Sequence, residues 1–230
     1  MNKKICKNEL LAECLGSMFL LIAAISPTIL FTNVFESHIS VAVLANAITV
    51  AFVLYALIEL FGNISGAHFN PLVTMVMAFE RKIGVVKSLL FIVVQILGGL
   101  AGLVATHLMF FNEIGGLFFV SDIVRSDYIY FAEIIGTFII LFTILMLVKA
   151  NSSKIPRIIG LLVGGQIMAT SSTLFANPQV TIARMFTNSV AGVRPLDGLM
   201  FIVMQLVGAL LAYAVYKFMF PNKIHKKGEE

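Results

Sequence analysis

Six long apolar segments constrain this chain more than any other feature of its sequence. They cover approximately residues 12–31, 39–61, 84–111, 128–148, 158–176 and 198–219. A bilayer core about 30 Å thick is crossed by about 20 apolar helical residues, so each segment is long enough to span it. Only 12% of the 230 residues are charged, about half the share of a soluble domain. The sequence therefore predicts an all-α membrane protein with six transmembrane helices.

The basic residues predict how these helices are oriented. If the N-terminus lies in the cytosol, all Lys and Arg except Arg125, Arg184 and Arg194 fall on the cytosolic side. Such an excess of positive charge is typical of cytosolic loops. We expect a multi-pass protein of the cytoplasmic membrane with both termini in the cytosol, including the tail 220–230.

The chain also repeats itself. Three motifs of the first half recur in the same order in the second: Ala12-Glu13-x-x-Gly16-Ser17 as Ala132-Glu133-x-x-Gly136-Thr137, Asn70-Pro71 as Asn177-Pro178, and Gln95-x-x-Gly98-Gly99 as Gln205-x-x-Gly208-Ala209. This pattern predicts a single channel domain, 1–230, made of two three-span repeats, 9–111 and 128–219. Units with an odd number of spans insert in opposite orientations, and inverted repeats place the functional site near the midplane between them.

The two Asn-Pro pairs predict re-entrant half-helices over about 70–80 and 177–188. Asn is a favoured N-cap, Pro is favoured at the first helical position, and both segments are too short to span a bilayer. Two half-helices entering from opposite faces would meet at their positive ends. The non-helical approaches, 65–69 and 172–176, would present backbone carbonyls, which at this depth requires a water-filled path. The pattern predicts a polar pore that repels cations and protons.

The segment Ser65-Gly66-Ala67-His68-Phe69-Asn70-Pro71, together with Asn177-Pro178, resembles the major intrinsic proteins, that is, aquaporins and glycerol facilitators. The resemblance covers about residues 9–217. It implies an aquaporin-like homotetramer with one pore per subunit, conducting water and small uncharged solutes passively. It also implies that Glu13 and Glu133 brace the two loops, and that the pore is lined by Asn70 and Asn177 and by the carbonyls of Gly66, Ala67, His68, Leu174 and Phe175. The run 173–184 resembles a bacterial branch associated with metalloid resistance, so the expected solutes are glycerol-like polyols or neutral metalloid acids.

Three departures from the family pattern bear on selectivity. Leu72 and Gln179 replace the usual alanines, and Val180 replaces the usual filter arginine. Family offsets predict a filter of four positions without a charged or aromatic side chain: Val50, Gly165, Leu174 and Val180. We therefore expect a wide, apolar opening that admits solutes of glycerol size or larger. Arg184, one helical turn beyond Val180, is expected in the outer vestibule or as a structural brace, and alternatively its guanidinium reaches back toward the constriction.

One further function competes with the passive channel. Glu13 and Glu133 are intramembrane carboxylates and could form the relay of a proton-coupled secondary transporter of a small polar solute, although their repeat-related positions favour bracing. Glu59 is expected at a helix end, with the cytosolic vestibule as the alternative. His68 is expected to fix the loop by a hydrogen bond, with pH gating as the alternative.

Neither a nucleophile–base pair nor a nucleotide motif appears in the sequence, and the four His and two Cys lack metal-ligand spacing. We expect no enzyme activity, no metal or other cofactor and no nucleic-acid partner. The expected partners are the solute, water and membrane lipid.

Overall fold

The computed structural model describes residues 6–125 and 127–221. These residues form helices joined by loops, with no strand among them. The predicted topology signals Lys3, Lys4, Lys223, Lys226 and Lys227, and most of the tail 220–230, lie outside the described residues. The helices are α1 Lys7–Ile29, α2 Ile39–Ser65, α3 Pro71–Phe79, α4 Val85–Met109, α5 Phe111–Ile114, α6 Asp127–Lys149, α7 Ile155–Ala169, α8 Pro178–Arg184 and α9 Pro195–Met219. A π-helical turn, Leu30–Val34, continues α1.

Five of these helices, α1, α2, α4, α6 and α9, are long and apolar enough to cross a membrane. The predicted fifth span, 158–176, is corrected by the structure: α7 has 15 residues and ends at Ala169. Beyond it, the Thr170 hydroxyl accepts a hydrogen bond from the Leu174 amide at 3.0 Å, in a loop that is not helical. The first four residues after the helix, 170–173, are all Thr or Ser, a short polar run that was included in the predicted span together with the apolar residues on either side of it.

Small residues let the spanning helices approach each other closely. A Cβ atom at Gly98 of α4 would overlap the Cys14 carbonyl of α1, and one at Gly208 of α9 would overlap the Ile134 carbonyl of α6. These two contacts are related by the sequence repeat. At Gly164, α7 lies against α2 in the same manner. Such packing is typical of membrane proteins, where burial of apolar side chains does not favour one helix pairing over lipid.

The outer faces of the spanning helices are apolar. Phe52 and Leu60 on α2, Val93 on α4 and Phe131 on α6 each expose half or more of their surface. Apolar exposure of this extent is unusual for a soluble monomer and indicates contact with lipid or with another protein. It agrees with the predicted membrane-embedded fold.

Candidate functional site

The two half-helices, α3 and α8, meet at their N-termini. Asn70 caps α3 and its side-chain amide donates to the Ala176 carbonyl at 2.9 Å, while Asn177 caps α8 and donates to the Phe69 carbonyl at 2.8 Å. Each asparagine oxygen accepts from the backbone two residues further on, at Leu72 or Gln179. Each cap therefore also ties its half of the protein to the other half.

The approach loops before the two caps have the same unusual backbone. Left-handed φ values occur at Ala67 and Phe69 in the first loop and at the repeat-related Leu174 and Ala176 in the second. Within the described residues, the carbonyls of Gly66, Ala67, His68, Leu174 and Phe175 accept no hydrogen bond. All five of these residues line the cavity described below. Unpaired carbonyls at this depth are stabilised where they face water or a polar solute.

Glu13 holds the first approach loop in place. Its carboxylate is fully buried and accepts hydrogen bonds from the backbone amides of His68 at 3.0 Å and Phe69 at 2.8 Å. It also accepts from the Ser65 hydroxyl and, at 2.8 Å, from the Gln95 side-chain amide. One carboxylate thus accepts four hydrogen bonds, three of them from the first approach loop. Hydrogen bonds from backbone N–H groups to a carboxylate are among the stronger ones in proteins.

Glu133 makes the corresponding contacts in the second half. It is fully buried and accepts from the backbone amides of Phe175 at 3.0 Å and Ala176 at 2.8 Å, and from the Gln205 amide at 2.7 Å. Gln205 also donates to the Thr181 hydroxyl on α8 at 2.9 Å. Gln95 donates to Thr74 on α3 in the same way. Sequence analysis noted the two glutamines as repeat markers but missed that they link each carboxylate to a half-helix.

A cavity of about 270 Å³ runs past the half-helix junction. Its wall includes Lys82 near one end and Arg184 near the other, with both Asn70 and Asn177 between them. Apolar side chains of α1, α2, α6 and α7 make up most of the remaining wall: Leu20, Ala24, Val50, Leu54, Ile58, Ile140, Ile144, Val148, Ile155, Ile159, Val163 and Ile167. The cavity is thus polar along the half-helix side and mostly apolar opposite, where Asn46 of α2 contributes a polar side chain.

Three of the four predicted filter positions, Val50, Leu174 and Val180, lie in the cavity wall. The fourth, Gly165, does not, and this prediction is corrected. Gly165 is exposed on the opposite face of α7, where a Cβ atom would meet open space. Ile167 faces the cavity in its place, because two residues along a helix turn the side chain by about 200°. Counting twelve residues back from Asn177 therefore does not lead to a residue of α7 that faces the cavity.

Arg184 lies in the cavity wall rather than in an exposed vestibule. Only 3% of its surface is exposed. Its guanidinium carbon lies 3.7 Å from the centroid of the Phe175 ring, and its Nε donates to the Ala191 carbonyl. Among the described residues, no carboxylate forms an ion pair with it. The structure therefore gives Arg184 both a bracing contact and a position from which its charge acts on the cavity.

Gln179 and Leu72, the two departures from the usual alanines, are buried outside the cavity wall. The Gln179 amide donates to the Phe69 carbonyl at 3.3 Å, and its oxygen lies where a Cβ atom at Gly99 would be. Gln179 therefore supplies no group to the cavity wall. It instead adds a second contact between α8 and the first approach loop.

The remaining predicted residues are placed as follows. His68 lines the cavity and one of its ring nitrogens lies 3.0 Å from the Thr74 hydroxyl. Glu59 is exposed on α2 and is absent from the cavity wall. In residues 6–125 and 127–221, no three His, Cys, Asp or Glu side chains are grouped so that they could hold a metal ion.

Two loops close over the Arg184 end of the cavity, and we call them the outer cap: residues 115–125 and 185–194. Their backbones pair directly, with the Ser121 amide donating to the Met185 carbonyl at 2.8 Å and the Arg194 amide to the Ile123 carbonyl at 2.7 Å. His107, fully buried on α4, contacts both loops at Leu117 and Thr187. Nothing in the sequence pattern singled out this cap.

Arg125 is the residue of the outer cap that sequence analysis missed. Its side chain donates to three backbone carbonyls, those of Gly192 at 3.1 Å, Ser172 at 3.2 Å and Val190 at 3.1 Å. Burial lowers the pKa of the Arg125 guanidinium, against the opposing influence of the Glu133 and Asp197 carboxylates, but an arginine remains charged at neutral pH. The Arg125 backbone amide donates to the buried carboxylate of Asp197, which is 72 residues away in the sequence, so no local pattern connects the two residues.

Five membrane-spanning helices, the shorter apolar helix α7 and two half-helices that meet beside a cavity define a transmembrane channel of the inverted-repeat type. Comparison with known proteins agrees. The family model described as major intrinsic protein matches residues 1–176, which end just before Asn177. The solved structure of the aquaglyceroporin from Plasmodium falciparum has the same fold, with a TM-score of 0.68 at 19% identity over 92% of this chain and 94% of that one.

Similar sequences point to the same family. The aquaglyceroporin AqpS of Rhizobium meliloti is 31% identical over 208 residues, covering 90% of this chain and 88% of the relative. Aquaporin-4 of Mus musculus is 26% identical over 224 residues, covering 94% and 68%. The chain belongs to the major intrinsic protein family, as its motifs predicted, and it is a multi-pass membrane channel.

Proposed function

We propose that this channel conducts water and small uncharged solutes of about glycerol size passively. The observation that carries the proposal is the cavity, in which asparagine amides, unpaired carbonyls and Arg184 face an apolar wall. A polyol has hydroxyl groups that need hydrogen-bond partners and carbon–hydrogen surfaces that do not. A cavity with one polar and one apolar side can therefore replace its hydration shell. The relatives named aquaglyceroporin support the same solute class.

Charged solutes are disfavoured by the same geometry. The positive ends of α3 and α8 and the guanidinium of Arg184 all lie along the solute path. Positive potential and an apolar wall together make cation and proton entry costly. The lining groups include no nucleophile paired with a base, so we propose a channel without enzymatic activity, cofactor or metal.

The proton-coupled transporter is the competing function, and the carboxylate contacts argue against it. Glu13 and Glu133 each accept two backbone amide bonds and one glutamine bond, and neither is in the cavity wall. The oxygens of a carboxylate held in this way are occupied by protein donors, and the group is shielded from the solute. Stopped-flow swelling of reconstituted vesicles with water, glycerol and a neutral metalloid acid tests the proposal. Solute accumulation driven by a proton gradient would contradict it.

We expect Arg184→Ala to admit larger solutes. Removing the guanidinium leaves apolar Leu174, Val180 and Ile167 around the same end of the cavity, so the flux of a larger polyol relative to glycerol should rise. Vesicle swelling with glycerol and xylitol measures this ratio. Arg157→Gln, at an exposed position on the other end of α7, is the control. An unchanged ratio would restore the interpretation of Arg184 as a brace alone.

We also propose that the protein lies in the cytoplasmic membrane with both termini in the cytosol. The basic residues support this orientation. Lys7 is the first residue of α1, and Lys149 and Lys217 lie in the last turns of α6 and α9, the ends that this topology places in the cytosol. A reporter enzyme fused after Glu230 should be active only in a cytosolic assay. Activity on the outer side would contradict the six-span topology.

The assembly and the domain boundaries remain proposals of the same kind. We propose a homotetramer, with one pore in each subunit, and two repeats spanning 9–111 and 128–219 followed by the tail 220–230. The exposed apolar faces of α2 and α4 offer the surface that such contacts require. Crosslinking in membranes, followed by denaturing electrophoresis, should give bands up to four subunits.

A further inference from the structure

Arg184 depends on two uncharged partners for its position. Its Nε donates to the Ala191 carbonyl and its guanidinium lies over the Phe175 ring. Within the described residues it lacks an ion pair that would hold it by charge. Because the side chain has several rotatable bonds, a shift of either partner moves the guanidinium relative to the cavity.

Arg125 binds the backbone close to both of these partners. Its terminal nitrogen atoms and Nε donate to Val190 and Gly192, the residues on either side of Ala191, and to Ser172, three residues before Phe175. Its guanidinium carbon also lies 5.2 Å from the centroid of the Phe175 ring. A single planar guanidinium thus joins the loop that carries Ala191 to the loop that carries Phe175.

Arg125 is fixed in turn by a buried carboxylate. Its backbone amide donates to Asp197 at 2.8 Å, and Asp197 is fully buried at the start of α9. The Tyr130 hydroxyl donates to the same carboxylate at 2.7 Å. The anchor therefore connects the outer cap to α6 and α9, which are rigid spanning helices.

We propose that Arg125 is a positioning residue for selectivity: it does not touch the solute but sets where the Arg184 guanidinium stands in the cavity. Arg125 is absent from the cavity wall, and its bonds to Val190 and Gly192 hold the chain segment whose Ala191 carbonyl accepts from Arg184. The fork geometry matters, because three carbonyls in different directions suit arginine and not the single ammonium of lysine. The inference rests on the proposed function, since it concerns which solutes pass.

The test uses flux ratios, because a merely structural role would lower the flux of all solutes in the same proportion. Purified full-length channels with Arg125→Gln or Arg125→Lys are reconstituted, and swelling is measured with water, glycerol and xylitol. We expect Arg125→Gln to raise the xylitol-to-glycerol ratio by about threefold or more, in the same direction as Arg184→Ala. Arg125→Lys keeps the charge, supports folding and should show a smaller rise in the same ratio. Arg157→Gln should leave the ratio unchanged.

The double variant Arg125→Gln with Arg184→Ala decides whether the two residues act together. If Arg125 acts through Arg184, the double variant has the ratio of Arg184→Ala alone. Ratios that multiply, or a proportional loss of all fluxes in both Arg125 variants, would overturn the inference. A different result would contradict the proposed function: vesicles with the unsubstituted channel would then conduct water and glycerol no faster than empty vesicles.

Discussion

Replacing Val180 by arginine is expected to reduce glycerol flux by about tenfold or more while sparing part of the water flux. Val180 lies in the cavity wall and is 6% exposed, one helical turn before Arg184. A second guanidinium at this level narrows the cavity and adds a positive charge about 6 Å along the helix from the first. Stopped-flow swelling in matched gradients of glycerol and of an impermeant solute separates the two fluxes.

Val180→Leu is the matched control, because it adds apolar volume at the same place without charge. It should lower glycerol flux far less than Val180→Arg. Glycerol flux in Val180→Arg equal to that of the unsubstituted channel would show that solute does not pass Val180, and would contradict the placement of the selective region at this end of the cavity.

Glu13→Gln is expected to prevent stable folding of the channel. Glutamine keeps one accepting oxygen, but its NH2 group can only donate. If that group takes the place of Oε2, it faces the donors of Phe69 and Gln95, which the carboxylate now satisfies. Each buried donor left without a partner costs about 1–3 kcal/mol. We expect little monodisperse protein after mild heating in detergent, measured by size-exclusion chromatography, and a corresponding loss of water flux.

The control for this substitution is Glu59→Gln, the same chemical change at an exposed carboxylate on α2. It should leave both stability and flux near those of the unsubstituted channel. A Glu13→Gln protein that is stable and conducts, but has lost a dependence on the proton gradient, would support the proton-coupled transporter instead.

Most of the architecture could be predicted because it depends on patterns among residues that are close together in the sequence. Hydropathy gave the spans, and the Asn-Pro pairs gave the starts of α3 and α8 at Pro71 and Pro178. Capping chemistry acts within a few residues, so sequence spacing is enough to read it. The end of α7 was placed wrongly because the predicted span ran through the short polar run 170–173 to the apolar residues 174–176 beyond it.

The site was predictable only in part. Asn70, Asn177, Leu174 and Val180 line the cavity, but Gly165 faces away from it and Ile167 takes that place. An offset along the chain fixes the direction of a side chain only if the helix between the two points is continuous. Between Gly165 and Asn177 the chain leaves α7 and turns through left-handed residues, so the count no longer determines the face.

The membrane-spanning class, the inverted repeat and the two half-helix caps could be predicted from the sequence, because each follows from periodicity, composition or contacts between near neighbours. The position of Arg184 and the contacts that hold it could not be predicted and follow from the folded loops. Arg125, Ser172 and Gly192 come together across 67 residues of chain, and their carbonyl contacts involve backbone atoms that every residue carries. Because every residue type has a backbone carbonyl, the sequence does not show which carbonyls will accept these hydrogen bonds. Such a site can be recognised only in the folded structure.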